Sequence, residues 1–299
     1  MVRIQFAIDL NYTLNFPGAD FVFNIHAAHT ARQRIVSESL QLSQPLLTTI
    51  QIEPQTCARF LRLSVEREPL QLSYQATLDI DQHIGDPDKI PETPVARLPL
   101  SALTYIYPSR YCQSDRLALL AMKEFGNLPK GYRRVEAICK WVNQHVAFRS
   151  ATSSSTTSAI DTLTDRVGVC RDFAHLMIAI CRALSIPARF TTGIDYGADP
   201  ALGPTDFHAY VEVFLDHRWY IFDPSGTAIP MGFVRIGTGR DAADVSYATI
   251  FGSVNSPPPV ISITALTEVG QPWEIPRHRP EALSTDASVD HAAATVLKP

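Results

Sequence analysis

Cysteine, histidine and aspartate together can take an acyl group from an amide through a thioester. This 299-residue chain carries them in a usable order. Cys170 follows Gly168-Val169 and opens a stretch that reads as a helix ending before Pro187. At 100° per residue, Phe173, Leu176, Met177, Ile180, Cys181 and Leu184 share one apolar stripe with Cys170, and Arg171, His175 and Arg182 fall on the other side. Cys170 is therefore expected at the N-terminal tip of a buried stripe. The first turn of a helix presents unpaired N–H groups and the positive end of its dipole, and both favour a thiolate. Gly168 would let backbone or substrate come close. A cysteine taken alone is more often a small core hydrophobe. Cys139 and Cys181 read that way, and Cys57 and Cys112 offer nothing beyond packing.

The histidine and the carboxylate come from an apparent hairpin. Residues 206–214 alternate with period two, placing His208, Tyr210, Glu212 and Phe214 on one face and Ala209, Val211 and Val213 on the other. A tight turn around 216–218 leads into Trp219-Tyr220-Ile221-Phe222-Asp223-Pro224. A hairpin centred near His217 brings His208 and Asp223 to the same end of adjacent strands, and Pro224 is expected to end the second strand. A strand histidine and a turn-capping Asp before Pro are each common. Found with a helix-tip cysteine, they form the set that cysteine hydrolases and acyltransferases need: a nucleophile, a proton shuttle and an orienting carboxylate. Tyr210 and Glu212 share the face of His208 and are candidates to line its pocket. Asp172 faces away from the stripe; it is expected to stabilise the helix N-terminus and is a candidate for the cleft entrance. Tyr196 and Asp199 lie in a Gly/Pro-rich loop, 193–204, that is expected to border the cleft.

The elements that must position these residues fall into two sets. Stretches 2–10, 21–28, 33–40, 48–53, 59–66 and 70–80 alternate or are rich in β-formers, which suggests a small antiparallel sandwich. A proline-bearing segment, 86–99, reads as a linker. Stretches 115–125 and 132–146 are amphipathic helices, 150–158 is a polar loop or helix lead-in, and strands are expected at 189–196, 208–215, 218–223 and 232–236. The chain is thus read as α+β. A β-rich N-terminal domain occupies 1–110, a catalytic core 111–255, and a partly disordered C-terminal extension 256–299. Composition agrees with a folded protein: 45% hydrophobic and 19% charged residues. A net charge of −4 gives no general field for nucleic acid or acidic lipid. No apolar run reaches the ~20 residues of a membrane span. Five widely spaced cysteines imply no disulfide framework and fit a reducing cytoplasm. No metal-ligand spacing, nucleotide loop or Rossmann glycine pattern is present, so no metal or cofactor is expected.

Four phrases carry a resemblance: Gly168-Val169-Cys170-Arg171-Asp172-Phe173-Ala174-His175-Leu176, Ser185-Ile186-Pro187-Ala188-Arg189-Phe190, Phe207-His208-Ala209-Tyr210-Val211-Glu212-Val213 and Trp219-Tyr220-Ile221-Phe222-Asp223-Pro224. They resemble the transglutaminase-like superfamily, above all its bacterial branch of transglutaminase-like proteins and cysteine proteases. The resemblance is specific over 130–255, where Gly239-Arg240-Asp241-Ala242-Ala243-Asp244-Val245 joins it, and looser over 1–110. It implies a papain-like fold, in which a helix led by Cys170 packs on an antiparallel sheet bearing His208 and Asp223. It also implies their roles: Cys170 as nucleophile, His208 as base and later acid, and Asp223 as orienting carboxylate. Arg171 stands where animal transglutaminases carry an aromatic, which argues against cross-linking. The backbone N–H of Cys170 is one expected oxyanion donor; the second is unassigned, and Asp165 cannot donate when ionised. The expected function is thiol-dependent acyl transfer on a peptide or amide substrate. Hydrolysis by a protease or amidase is favoured over transamidation, because water is in vast excess and no sequence feature shows an amine site. The alternative is a non-catalytic peptide-binding or assembly module on the same fold. A homo-oligomer is compatible with the sequence but not indicated by it.

Overall fold

The computed structural model describes residues 1–67, 69–268 and 270–289. In chain order the strands β1 (Val2–Leu14), β2 (Ala19–Phe23), β3 (Gln33–Leu42), β4 (Thr49–Ile52), β5 (Arg59–Val65), β6 (Leu70–Ile80) and β7 (His83–Gly85) come first. Then follow α1 (Leu100–Leu103), α2 (Ala118–Phe125), α3 (Tyr132–His145), β8 (Ala147–Phe148), α4 (Ala159–Asp165), β9 (Val167–Gly168) and α5 (Cys170–Ala183). Strands β10 (Ala188–Ile194), β11 (Phe207–Leu215), β12 (Arg218–Phe222), β13 (Val234–Gly239), β14 (Ala248–Phe251), β15 (Val254–Asn255), β16 (Val260–Leu266) and β17 (Ala282–Ser284) complete the described chain.

Alternation builds the first domain. In β1, Val2, Ile4, Phe6, Ile8, Leu10 and Tyr12 are buried, as period two requires of a strand with one face on a core. They meet Phe21 and Phe23 of β2, Leu61, Leu63 and Val65 of β5, and alternate residues of β6 in one apolar cluster. One sheet runs β15-β1-β6-β3 with β16 also paired to β1, and the other runs β14-β2-β5-β4.

The boundary expected at 255 is crossed by this sandwich. Residues 248–255, read as part of the core, supply β14 and β15 to its two sheets. Residues 256–299 were expected to form a separate, partly disordered extension, yet β16 lies antiparallel along β1 from Asp9↔Val260 to Arg3↔Leu266. Further on, β17 pairs with β7, and Asp286 binds Arg235 at 2.8 Å. Residues 290–299 of that expected tail lie outside the described residues. The proline-bearing 86–99 segment is not a free linker either. Ile90 joins the second core, its carbonyl accepts from Tyr132 N at 2.9 Å, and Glu92 pairs with buried Arg134.

The second core forms around α5. Its apolar stripe packs on Ala209, Val211 and Val213 of β11 and on Phe190 of β10. The helix is buried on its expected polar side as well. His175 is fully buried, stacks on Tyr111 at 4.9 Å and accepts from Ala242 N at 3.2 Å. Burial, with Arg171 and Arg182 nearby, pushes its pKa well below the usual imidazole value, which keeps it neutral and able to accept. Arg182 donates to the carbonyls of Ala188 (3.0 Å) and Tyr107 (3.1 Å). Periodicity places His175 and Arg182 opposite the apolar stripe but does not show what covers them.

The sheet β12-β11-β10-β13 is covered on both faces. One face meets α5; the other, with Ile194, Tyr210, Phe233 and Ile236, joins the apolar cluster of the sandwich. Every residue of β11 from His208 to Leu215 is buried. Helix α4 begins at Ser158, where Asp161 accepts from the Ser158 backbone (2.9 Å) and hydroxyl (2.7 Å). Among the described residues no helix is long and apolar enough to cross a membrane.

Candidate active site

Three element ends meet at the site. Cys170 is the first residue of α5 and is half-buried. Val169 before it is extended (φ −110°, ψ 176°), so the chain enters the helix sharply. Asp172 locks that entry: its Oδ2 accepts Val169 N at 2.9 Å, and its Oδ1 accepts the Ser153 hydroxyl at 2.9 Å. A carboxylate on the first-turn N–H groups stabilises the helix start. Asp172 is fully buried; it stabilises the helix as expected and does not reach the cleft entrance. Gly168 serves this cap rather than a substrate, since a Cβ there would lie 2.7 Å from the Asp172 Cβ.

His208 sits near the start of β11, opposite Gly193 of β10. The strand turns back through Asp216 and His217, both with positive φ (43° and 62°), the two-residue hairpin turn that suits strand twist. The register Val211↔Phe222 then carries Asp223 to the level of the histidine ring. His208 Nε2 lies 3.4 Å from Asp223 Oδ1, and both side chains are 3% exposed. The Asp223 carboxylate also accepts from Ser225 N (3.1 Å) and Ser225 Oγ (2.6 Å). Asn143 of α3 holds the same turn, donating to the carbonyls of Pro224 (3.1 Å) and Ser225 (3.0 Å). Sequence reasoning missed both supports. The Asp-Pro-Ser order was a usable signal for Ser225; for Asn143, eighty residues upstream, there was none.

The electrostatics suit proton transfer. Burial opposes a charge on His208, but Asp223 and a hydrogen bond with Cys170 outweigh it and hold the imidazole pKa well above its usual value. Burial would raise the Asp223 pKa, yet His208 and Ser225 bring it below the usual carboxylate range. Cys170 and His208 line the same cleft, and His208 lies against Asp223, so the structure brings the three residues to one site.

Tyr210 is not part of the cleft. It is fully buried and stacks on Phe233 at 4.6 Å, in the cluster shared with the sandwich. Glu212 is also buried, bound by Arg189 at 2.7 Å. The shared strand face was read correctly; the first domain covers it, and a single strand's period cannot show that. The cleft lies beyond the strand end. It has a volume of about 610 Å³ and is lined by Phe148, Val169, Cys170, His208, Phe207 and Tyr247, among others. The loop expected to border it does so through Ala198, Asp199, Leu202, Gly203 and Pro204. Tyr196 instead packs against Gly232. A larger cavity, about 870 Å³, lies on the first domain and is not lined by Cys170. The smaller one is the candidate site because Cys170 and His208 both line it.

Comparison with known proteins gives the same picture. The family model for the transglutaminase-like superfamily matches residues 121–224, and the model for the bacterial transglutaminase N-terminal domain matches 2–101. A solved structure of a proposed cysteine protease from Cytophaga hutchinsonii is 38% identical with a TM-score of 0.85, covering 95% of this chain and 97% of that one. An uncharacterized protein of Mycobacterium leprae is 26% identical over 146 residues, 47% of this chain and 52% of its own. One from Mycobacterium tuberculosis is 31% identical over 109 residues, 33% and 35% of the respective chains. The matched region spans about half of the first mycobacterial protein and less of the second. The two domain matches and the near full-length similarity place this chain in the transglutaminase-like superfamily, with a bacterial transglutaminase N-terminal domain ahead of its core.

Proposed function

We propose that the protein is a thiol hydrolase of amide or peptide bonds, with Cys170 as nucleophile, His208 as proton shuttle and Asp223 as orienting carboxylate. The observation that carries this reading is the half-buried Cys170 lining one cleft with a histidine that is backed by Asp223. The Cys170 sulfur attacks the substrate carbonyl carbon, its proton passing to His208. The oxyanion of the tetrahedral intermediate is met by the Cys170 N–H, one of the free donors of the helix start. His208 then protonates the leaving nitrogen, the C–N bond breaks, and an acyl-thioester remains on Cys170. Water, giving a proton to His208, attacks the thioester; the C–S bond breaks, the proton returns to sulfur, and a carboxylic acid leaves. Transfer to an amine instead of water is the transamidating version of the last step. All five cysteines are unpaired, which supports a reducing compartment such as the cytoplasm.

The test is turnover of any amide or activated ester that the wild type cleaves. Cys170→Ala should abolish it, a loss on the order of 10⁶-fold, and iodoacetamide should do the same to the wild type. Unchanged turnover in the variant would remove the enzymatic reading and leave a binding module on the same fold.

A further inference from the structure

The cleft beside Cys170 holds a carboxylate that the reaction above does not use. Asp195 directly follows β10, and its Oδ2 stands 3.5 Å from Nδ1 of His208, on the side of the ring opposite Asp223. Asp195 is 7% exposed. Its other oxygen, Oδ1, is buried and has no hydrogen-bond partner among the described residues. Burial pushes the Asp195 pKa up; His208 opposes this, and Asp223 and Asp206 add to it. A buried acceptor without a hydrogen-bond partner is costly and calls for a donor. Asp195 lines the cleft, so that donor can arrive with a substrate.

The surroundings select the donor's charge. Asp199 and Asp206, both exposed, line the same cleft. Each has an oxygen engaged by its own loop: Asp199 Oδ1 accepts Ala201 N at 2.9 Å, and Asp206 Oδ1 accepts Phe207 N at 2.7 Å. Arg171, a cationic lining residue besides His208, is tied to Ser153 Oγ at 2.8 Å and to Asp172 at 3.3 Å, so its charge is already engaged. Phe207 and Tyr247 stack at 4.5 Å with an interplanar angle of 11°, giving the cleft an aromatic wall. Carboxylates beside an aromatic face suit an organic cation.

We propose that the cleft is a subsite for a cationic nitrogen, a protonated amine or a guanidinium, carried by the amide substrate itself, with Asp195 Oδ1 as its inner anchor and Asp206 as its outer one. The proposal rests on the hydrolytic reading above and names its substrate class: amides with a positive charge beside the scissile bond. Asp195 stands between that charge and His208, so it screens the substrate cation from the imidazolium.

The test uses three methanethiosulfonate reagents on the full chain: the trimethylammonioethyl (cationic), methyl (neutral) and sulfonatoethyl (anionic) forms. Modification of Cys170 is followed by peptide mass spectrometry, and each rate is divided by that of 2-mercaptoethanol. The cationic-to-neutral ratio at Cys170 should exceed unity by roughly tenfold or more, with the anionic form slowest. Asp195→Asn should bring the ratio close to unity. Asp206→Asn, at an exposed position with little bearing on folding, should lower it several-fold. A ratio near unity in the wild type, or one unchanged in both variants, overturns the subsite. Failure of the hydrolytic reading looks different: the neutral reagent would then modify Cys170 no faster than 2-mercaptoethanol, while the charge ratio still reports on the cleft. A further arm acylates Cys170 with p-nitrophenyl acetate in the presence of lysinamide. Release of acetate alone supports the proposal; acetyl transfer to lysinamide that disappears in Asp195→Asn puts the cation on a second substrate and overturns it.

Discussion

Two loops flank the ring of His208 and are built differently. The turn after β12 is tied down: Asp223 Oδ1 receives two bonds from Ser225, and Asn143 pins the carbonyls that follow, although Asp223 Oδ2 is buried with no hydrogen-bond partner among the described residues. The loop after β10 leaves Asp195 Oδ1 bare. Both carboxylates are buried and both approach the same imidazole, at 3.4 and 3.5 Å. Yet the Asp223 pKa is lowered and the Asp195 pKa is raised. His208 lowers both, but for Asp223 its charge and hydrogen bond, aided by the Ser225 donors, outweigh burial, whereas for Asp195 burial dominates and Asp223 and Asp206 add to it. A turn tied down by donors suits the orienting role proposed for Asp223, and a carboxylate without them suits the ligand contact proposed for Asp195.

The largest expected contrast is in turnover. Asp223→Asn should reduce kcat by roughly 10²–10⁴-fold, because the ring loses the partner that fixes its tautomer. Asp195→Asn should cost far less turnover on a neutral substrate. Equal losses from both would erase the distinction between the two flanks. A smaller effect is expected from Asn143→Ala, which frees the Asp223 turn without touching the triad. A misplaced carboxylate should cost roughly tenfold in kcat, with KM little changed and the loss of the hydrogen bonds worth about 1 kcal/mol of stability. No change in kcat would mean that Ser225 alone holds Asp223.

The subtlest contrast is in thermal stability against pH. The raised pKa of His208 gives a stabilising contribution that is complete below its unfolded value of about 6.5 and is lost as pH rises through the folded one. The lowered pKa of Asp223 gives one that is complete above about 3.9 and is lost as pH falls. Both are therefore complete between about pH 4 and 6.5, and the melting temperature should decline above that window. Asp223→Asn should lower Tm and shrink the decline. Asp195 has the opposite sign: its raised pKa means that the ionised form is disfavoured in the fold at neutral pH. Asp195→Asn should therefore raise Tm, by about a few degrees. A shift in the same direction for both variants would contradict the comparison.

Much of the fold was legible where one physical rule governs it. The alternation of Phe6, Ile8 and Leu10 in β1 and of Leu61, Leu63 and Val65 in β5 announces strands over a single core. The hairpin turn at Asp216-His217 fixes a register that predicts the approach of His208 to Asp223. The return of 260–266 to β1 was hidden, because a strand pair so distant in sequence leaves no local mark. So was the burial of Tyr210, whose covering surface comes from another domain. Asp195 went unnoticed in the Gly/Pro-rich loop region: nothing in Ile194-Asp195-Tyr196 tells which way a side chain turns after a strand ends.

The central claim is that Cys170 and His208 act as a pair in an open cleft. The direct measurement is the iodoacetamide rate at each cysteine at pH 6, followed by peptide mass spectrometry in the wild type and in His208→Ala. The account predicts that Cys170 is modified roughly tenfold or more faster than half-buried Cys57 and Cys139, and that the advantage vanishes in the variant. Equal rates at the three cysteines, or an advantage that survives without His208, would contradict it.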